Sequence, residues 1–248
     1  MDEKLLILAG IVLVSFTVQA LSGFGSIIIA VTLGSHFFPI QTLVPVLVPL
    51  DLVLNGYITL RYHNRVDAPL LLKKIFPFMG AGLAVGLLLT NRLPALTLKI
   101  IFGVFVVLLS IGELVAYLRK GPGRGITPAG TALFLIIGGM AQGVFASGGP
   151  PVVYALGRTV RDKGIFRSTL SCLWLTADAI LMVNFFVLGR FNELTLRHSA
   201  LLLAPVVIGM AIGDRLHHRI NENYFRIIIY CLLLIAGISI LLSIPGGG

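Results

Sequence analysis

Eight apolar stretches separated by short polar loops constrain this chain more than any other feature. They cover approximately residues 5–38, 41–60, 68–90, 94–118, 127–157, 165–188, 198–214 and 224–244. Most of them match the ~20 residues that a helix needs to cross a bilayer. Only 12% of the residues are charged, against about 25% in soluble domains. The sequence therefore predicts an all-α polytopic membrane protein with no separate soluble domain.

The first and fifth stretches are too long for one span, and small residues interrupt each of them. The first break runs from Gln19 to Ser26 and the second from Gln142 to Pro151. Glycines let the backbone leave helical geometry, and prolines suit the first turn of a new helix. Irregular backbone in hydrocarbon is tolerated only where protein or a water-filled cavity surrounds it. Each break therefore predicts either a kink within a full span or a re-entrant hairpin.

The two breaks belong to an internal repeat. A shift of 123 residues superimposes Gln19 on Gln142, Gly25 on Gly148 and Asn55 on Asp178, and a shift of 127 superimposes Gly82 and Gly86 on Gly209 and Gly213. We interpret the chain as two homologous halves, residues 1–122 and 123–248, joined by a Gly-Pro-Gly-Arg-Gly linker at 121–125.

The distribution of basic residues distinguishes the kink from the hairpin. If the two broken stretches are hairpins, loops 61–74, 119–124, 158–167 and 215–226 all face the cytoplasm and hold 14 of the 19 basic residues. If all eight stretches cross once, only 10 of the 19 lie inside. The positive-inside rule favours hairpins. The prediction is two inverted repeats, each with one re-entrant hairpin and three transmembrane helices, and with both termini outside the cell.

Several function classes lack support in this sequence. A net charge of +9 and a pI near 10.0 would suggest nucleic acid as the partner of a soluble protein, but here the cations sit in loops that set topology. The histidines lack the spacing of a metal site. The chain contains neither a G-x-S-x-G elbow nor a phosphate-binding G-x-x-x-x-G-K-[ST] loop. We therefore predict no enzyme activity, no cofactor, no metal and no nucleic-acid partner.

Two hairpins that enter from opposite faces would bring their tips together near the middle of the membrane. Amide groups, hydroxyls and helix N-termini at the tips would then form a neutral cage rich in hydrogen-bond donors, which suits an oxyanion. The alternative for the glutamines is hydrogen bonding between helices. The predicted substrate-binding residues are Gln19, Ser22, Gly23, Gly25, Ser26, Gln142, Ala146, Ser147, Gly148, Gly149 and Pro150.

Carboxylates inside the apolar stretches are the next candidates for function. Asp51 and Asn55 lie four residues apart on one helix face, and Asp178 is the repeat partner of Asn55. Ionisable groups at this depth are costly and usually functional. We interpret these three residues as candidates for proton coupling. The alternative is that they hydrogen-bond to polar groups within a helix interface.

At these residues the sequence resembles the TauE/SafE family of sulfite and organosulfonate exporters. One likeness is the pair of breaks, Ser22-Gly23-Phe24-Gly25-Ser26 and Ala146-Ser147-Gly148-Gly149-Pro150-Pro151. The other is Asn55-Gly56-Tyr57 with Arg65-Val66-Asp67 and Gly82-x-x-x-Gly86. Ser26 and Ala146 stand where the family pattern has glycine. The resemblance covers nearly the whole chain and implies a secondary carrier for small sulfur-containing anions.

The leading hypothesis is export of sulfite, sulfoacetate or a similar anion across the cytoplasmic membrane, with the anion held between the hairpin tips. Rival hypotheses are an importer of a related sulfonate or organic acid, an anion channel, and a non-transporting membrane subunit. Proton-coupled and uncoupled mechanisms both fit the sequence. A monomer and a homodimer fit it equally well.

Overall fold

The structure is a computed structural model that describes residues 3–90, 92–118, 126–157, 160, 162–216 and 222–242. The predicted linker at 121–125 lies outside the described residues, as do Arg119, Lys120, Arg124, Arg158, Arg161 and Arg219. The helices of the described part are α1 (Glu3–Ser22), α2 (Ser26–Gly34), α3 (Ile40–Arg61), α4 (Ala68–Leu70), α5 (Phe76–Thr90), α6 (Ala95–Leu118), α7 (Pro128–Phe145), α8 (Gly149–Leu156), α9 (Lys163–Val187), α10 (Glu193–Leu216) and α11 (Glu222–Leu242). A π-helical turn, Leu71–Ile75, makes α4 and α5 one continuous helix.

Six helices of the described part are long and apolar enough to cross a membrane. They are Glu3–Ser22, Ile40–Arg61, Ala68–Thr90, Pro128–Phe145, Lys163–Val187 and Glu193–Leu216. Helices α6 and α11 contain shorter apolar segments, Leu96–Gly112 and Leu233–Leu242. Large apolar side chains such as Leu88, Val183 and Phe186 lie on the outer surface, where lipid would cover them. The predicted all-α polytopic class is confirmed.

The chain reverses direction between α1 and α2. A Cβ atom at Gly34, the last residue of α2, would lie 3.4 Å from the side chain of Leu8 in the second turn of α1. A continuous helix would place these residues roughly 39 Å apart, at 1.5 Å per residue. Helix α1 has 20 residues and α2 only nine. The return arm is the shorter one, and its last residue lies beside the second turn of α1.

Helices α7 and α8 make a second reversal with the same proportions. The rings of Phe134 in α7 and Tyr154 in α8 have centroids 4.6 Å apart. In an unbroken helix these residues would be separated by roughly 30 Å. Helix α7 has 18 residues and α8 has eight. Each long arm alone could span a bilayer, so helix length alone does not determine the number of crossings.

Contacts between loops determine which ends of the helices share a face. The Asp67 N–H donates to Thr169 Oγ1 at 3.0 Å, so the loop after α3 lies beside the start of α9. At the opposite face His36 Nε2 lies 3.0 Å from Ser239 Oγ, so the loop after α2 lies beside the end of α11. Eight single crossings would place residues 62–67 and 160–165 on opposite faces. The structure excludes that arrangement.

Helices α5 and α7 pack closely because glycines remove the side chains between them. A Cβ atom at Gly82 or Gly86 would clash with the backbone carbonyl of Ile136 or Met140. Such small-residue contacts are the usual way for membrane helices to approach each other, since lipid supplies no hydrophobic driving force.

The same contact occurs a second time, between α1 and α10. A Cβ atom at Gly209 or Gly213 would clash with the carbonyl of Leu13 or Thr17. The shift of 123 residues converts Leu13 and Thr17 into Ile136 and Met140, and the shift of 127 relates the two glycine pairs. Each reversal therefore packs its long arm on the glycine helix of the other half. Helices α3 and α9 run antiparallel between the two reversals and pack against each other.

Candidate functional site between the helix breaks

The first break is short and is held by its own glutamine. Helix α1 ends at Ser22 and α2 begins at Ser26. Gly23 and Gly25 have φ angles of +86° and +108°, a region that L side chains rarely adopt. Gln19 Oε1 accepts a hydrogen bond from the Ser26 N–H at 2.9 Å. This bond fixes the first amide of α2 against the last turn of α1.

The second break repeats this arrangement with different residues. Helix α7 ends at Phe145, and Ala146 takes a left-handed conformation with φ of +51°. Gln142 Oε1 accepts a hydrogen bond from the Gly148 N–H at 2.9 Å. Pro150 occupies the first turn of α8, where its missing N–H leaves no carbonyl unpaired.

The amide nitrogen of each glutamine reaches a polar residue on the next long helix. Gln19 Nε2 donates to Asp51 Oδ1 at 2.7 Å and to Asn55 Oδ1 at 3.2 Å in α3. Gln142 Nε2 donates to Asp178 Oδ1 at 2.8 Å in α9. The pairs Gln19–Asn55 and Gln142–Asp178 have the same separation of 36 residues. Each glutamine therefore ties a helix break to a buried polar group.

Asp51 and Asp178 are neighbours at the α3–α9 interface and are both buried. Asp51 accepts hydrogen bonds from Gln19, from Ser26 Oγ at 2.6 Å and from Asn55 Nδ2 at 2.8 Å. Asp178 accepts from Gln142, while its second oxygen, Oδ2, has no hydrogen-bond partner among the described residues. The two carboxyls therefore differ: three donors surround Asp51, whereas Asp178 has one donor and one unpaired oxygen.

The two breaks meet each other. A Cβ atom at Gly149, the first residue of α8, would lie 3.1 Å from the Phe24 ring. Trp174 in α9 donates its indole N–H to the Gly23 carbonyl at 3.1 Å. A side chain at position 149 would require the Phe24 ring to shift by a few tenths of an ångström. The breaks are therefore in van der Waals contact, and α9 holds the first of them in place.

A small cavity lies between the breaks. Its volume is about 20 Å³, which is room for one ordered water molecule. Residues from both halves of the chain line it, namely Gln19, Phe24, Gly25, Ile27, Ile28, Asp51, Gln142, Ala146, Ser147, Gly149, Pro150 and Trp174. This is the buried site at which groups from the two breaks converge.

Comparison with known proteins identifies the family of this chain. The family model described as sulfite exporter TauE/SafE matches residues 6–240. This chain belongs to the TauE/SafE family. It is also 26% identical over 172 residues, covering 67% of this chain and 69% of the relative, to the probable inner membrane transporter protein TsaS of Comamonas testosteroni. No solved structure matches the chain.

Membership of the TauE/SafE family makes this protein a multi-pass membrane transporter of the cytoplasmic membrane. The family is one of transporters and not of enzymes. The cavity is accordingly a candidate for a transport site.

The cavity of this TauE/SafE protein includes some of the residues that the sequence predicted for it and omits others. Seven of the predicted substrate-binding residues line it, Gln19, Gly25, Gln142, Ala146, Ser147, Gly149 and Pro150, together with Asp51. Ser22, Gly23, Ser26, Gly148, Asn55 and Asp178 lie behind this lining, where they fix the lining groups by hydrogen bonds or backbone geometry.

The serine hydroxyls are largely occupied by the protein itself. Ser147 Oγ donates to the Phe145 carbonyl at 3.0 Å. Ser22 Oγ lies 2.8 Å from the carbonyls of Val18 and Phe24. Ser26 Oγ donates to Asp51. In this conformation the hydroxyl protons point toward protein acceptors. The hydroxyls could therefore only accept a hydrogen bond from a ligand.

Sequence reasoning missed four residues that line the TauE/SafE cavity, Phe24, Ile27, Ile28 and Trp174. Apolar side chains within an apolar stretch carry no local signal of a site. Trp174 could have been noticed in the sequence, because it is the only tryptophan of the chain. The sequence analysis treated Arg167 only as one of the loop cations that set topology. The structure buries it against Gly23 and pairs it with Asp214.

Proposed function

We propose that this TauE/SafE protein exports sulfite or a small organosulfonate across the cytoplasmic membrane. The observation that carries the proposal is the buried cavity at the meeting point of two helix breaks. Broken helices that meet within the membrane are the usual substrate site of transporters with this kind of architecture. The family description supports a sulfur oxyanion as the cargo.

The start of α2 supplies the stronger anion-binding groups in this proposal. Ile27 and Ile28 lie in the first turn of α2 and line the cavity, and first-turn amides have no carbonyl acceptor within their own helix. The positive end of the helix dipole adds to their attraction for an anion. Helix α8 begins with Gly149, Pro150 and Pro151, and the two prolines carry no N–H. We therefore put the anion nearer the start of α2.

The proposed mechanism treats residues 1–122 and 123–248 as inverted repeats that rock against each other. The paired glycine contacts described above support this, because exchanging the halves maps one contact onto the other. The first reversal is bonded to α3 and the second to α9, and these two helices are antiparallel. The two reversals therefore point in opposite directions, which further supports inverted repeats. Sulfite has four heavy atoms, more than the cavity can hold. We infer that the described conformation is occluded and that rocking enlarges the cavity on one side at a time.

We assign the basic loops 61–74 and 158–167 to the cytoplasm and both termini to the outside. The positive-inside rule supports this orientation, as does the shared face of residues 62–67 and 162–169. In this orientation an anion gains about 2.3 kcal/mol per 100 mV on leaving an inside-negative cell. Export of a monoanion can therefore be driven by the membrane potential alone, whereas import has to overcome that potential.

We propose that Asp51 and Asp178 hold one proton between them, which transport can exchange. Two adjacent ionised carboxylates in a buried site repel each other strongly. The three donors around Asp51 stabilise its ionised form, and the unpaired Oδ2 of Asp178 is the natural position for the proton. Asn55 donates to Asp51 and fixes the pair. Asp51 also lines the cavity, so its charge state affects how well an anion binds there.

Trp174 provides a direct test of anion binding. It is the only tryptophan, it lines the cavity, and it holds the first break. Purified protein would be titrated with sulfite, sulfoacetate, taurine, thiosulfate and malonate while the tryptophan fluorescence and the melting temperature are followed. A sulfur oxyanion should change both. If no anion changes either signal, the proposed site is wrong.

Counterflow in proteoliposomes tests the transport mechanism. A carrier preloaded with unlabelled anion should accumulate labelled anion, whereas a channel should only equilibrate it. The variant Gln19→Ala with Gln142→Ala should lose counterflow, because both breaks lose their connection to α3 and α9. Gln41→Ala, at the far end of α3 and away from the cavity, is the matched control. A non-transporting subunit would show no counterflow in any of these proteins.

A further inference from the structure

Arg167 is a buried cation close to the cavity that the proposed function does not use. It lies in the first turns of α9, and only 5% of its side chain is exposed. Every other lysine and arginine whose burial the structure describes is more exposed than Arg167. Its Nη2 atom lies 3.0 Å from Asp214 Oδ1 in α10, and its guanidinium lies over the Tyr62 ring at 5.4 Å. Burial of a cation is costly, so its retention indicates a role.

The ion pair leaves part of the guanidinium unused. Arginine usually binds a carboxylate through two parallel N–H groups. Here a single Nη2 contact is made, and Arg167 Nε is buried without a hydrogen-bond acceptor in the described part of the protein. Leaving a buried donor unpaired is unfavourable. An oxyanion with several oxygens could satisfy Nε and Nη2 together, which the single Asp214 contact does not do.

Arg167 lies where an anion would pass between the cavity and the basic loops. A Cβ atom at Gly23 would lie 3.2 Å from the Arg167 Cα atom, so Arg167 packs directly on the first break. Two turns further along α9, Trp174 binds the same glycine and lines the cavity. On its other side Arg167 adjoins Tyr62 and Asp214, at the face that carries Arg61 and Arg65. These cations raise the local concentration of anions.

We propose that Arg167 is a second anion-binding group on the cytoplasmic side of the cavity, at which the entering sulfite or sulfonate replaces the Asp214 carboxylate. This inference rests on the proposed function. Asp214 occupies the place of the anion when the site is empty, and its 17% exposure lets water take over its hydrogen bonds when it is displaced. The Tyr62 hydroxyl, 3.3 Å from Asp214 Oδ1, retains the carboxylate nearby. Asp214 is therefore a competitor of the substrate as well as a partner of Arg167.

Two single variants separate this proposal from a purely structural ion pair. Arg167→Gln removes the anion's partner, and we expect the dissociation constant for ethanesulfonate, read from Trp174 fluorescence, to rise at least about tenfold. Asp214→Asn removes the competitor, and we expect the same constant to fall about three- to tenfold. Arg197→Gln is the control, because Arg197 is an exposed cation near the start of α10, at the opposite end of that helix from Asp214. It should change the constant less than about twofold.

The sign of the Asp214→Asn effect decides the question. An ion pair that only stabilises the fold or closes a gate is broken equally by either variant, so both would then shift the constant in one direction, and the proposal would be overturned. If Arg167→Gln does not fold, the double variant Arg167→Gln with Asp214→Asn keeps a neutral hydrogen-bonding pair and should bind ethanesulfonate as weakly as predicted for the single variant. Binding at the wild-type level in the double variant would also overturn the proposal.

The wild-type protein separates failure here from failure of the proposed function. If unmodified protein responds neither to ethanesulfonate nor to any other sulfur oxyanion, both proposals are wrong. If it responds only to another sulfur oxyanion, that anion replaces ethanesulfonate in the titrations of the variants. If it binds ethanesulfonate and Arg167→Gln binds it equally well, only the role of Arg167 is wrong.

Discussion

Replacing Gln142 by leucine should destabilise the protein strongly, because this side chain connects the second break to α9. Leucine has a similar volume, so the change removes hydrogen bonds without creating a large cavity. The Gly148 N–H loses its acceptor at 2.9 Å, and Asp178 Oδ1 loses its donor at 2.8 Å. Both groups belong to buried residues, and each unpaired buried group costs about 1–3 kcal/mol. The free energy of unfolding should therefore fall by about 2–6 kcal/mol.

The measurement is reversible unfolding in mixed detergent micelles, followed by far-UV circular dichroism. Gln142→Glu is the informative companion, because a carboxylate oxygen can still accept from Gly148 while the donor to Asp178 is lost. In its ionised form the new carboxylate is repelled by the buried Asp178–Asp51 pair, so the destabilisation should be largest at high pH. It should decrease at low pH, where the new carboxyl is protonated and can donate to Asp178. Gln41→Leu, at a partly exposed position outside the site, should change stability by less than about 0.5 kcal/mol.

A change of less than about 0.5 kcal/mol for Gln142→Leu would refute the reasoning. It would mean that the break holds its shape without the glutamine. The equal spacing of the Gln19–Asn55 and Gln142–Asp178 pairs would then have no energetic significance.

Three further predictions follow from the glycine contacts, the left-handed alanine and the carboxyl pair. Gly86→Ala should destabilise the protein by about 1–3 kcal/mol, because the new Cβ atom meets the Met140 carbonyl. Gly80→Ala is the control on the same helix. Open space surrounds Gly80, so this change should be neutral or stabilising in the same unfolding assay. Ala146→Gly should raise the melting temperature in detergent, because a left-handed conformation costs an L-residue about 1–2 kcal/mol and glycine nothing comparable; a lower melting temperature would contradict this. Asp178→Asn should preserve the fold and make counterflow independent of pH over the range in which the wild type varies, since the shared proton is lost; an unchanged pH profile would show that the pair carries no transported proton.

The membrane class and the positions of the breaks follow from local properties of the sequence. Hydropathy over ~20 residues decides whether a segment can lie in lipid, and it needs no knowledge of the partners. Glycine at positions 23 and 25 permits φ angles that end a helix, wherever the rest of the chain goes. The sequence also indicated a repeat, because Gln19 and Gln142 occupy matching places before the two breaks, and the division into two related halves stays a prediction.

The sequence also predicted that the polar residues within the spans form one group, but it did not predict which of them are hydrogen-bonded to each other. It grouped Gln19 with Gln142 and Asp51 with Asp178 by type. The structure pairs each glutamine with a residue of the next long helix and makes most of the serine hydroxyls internal. Which donor meets which acceptor depends on the rotation of each helix about its axis. Packing against other helices sets that rotation, and a single sequence does not display it.

What the sequence by itself determined was a lipid-embedded bundle of helices with two breaks in corresponding places. Only the tertiary structure decided that Phe24 packs on Gly149, that Arg167 is buried beneath the first break, and that the cavity has a volume of about 20 Å³. The physical reason is that burial and backbone geometry within one segment are set by the segment's own residues. Contacts between residues more than 100 positions apart, and the space left between them, are set by how all the helices pack at once.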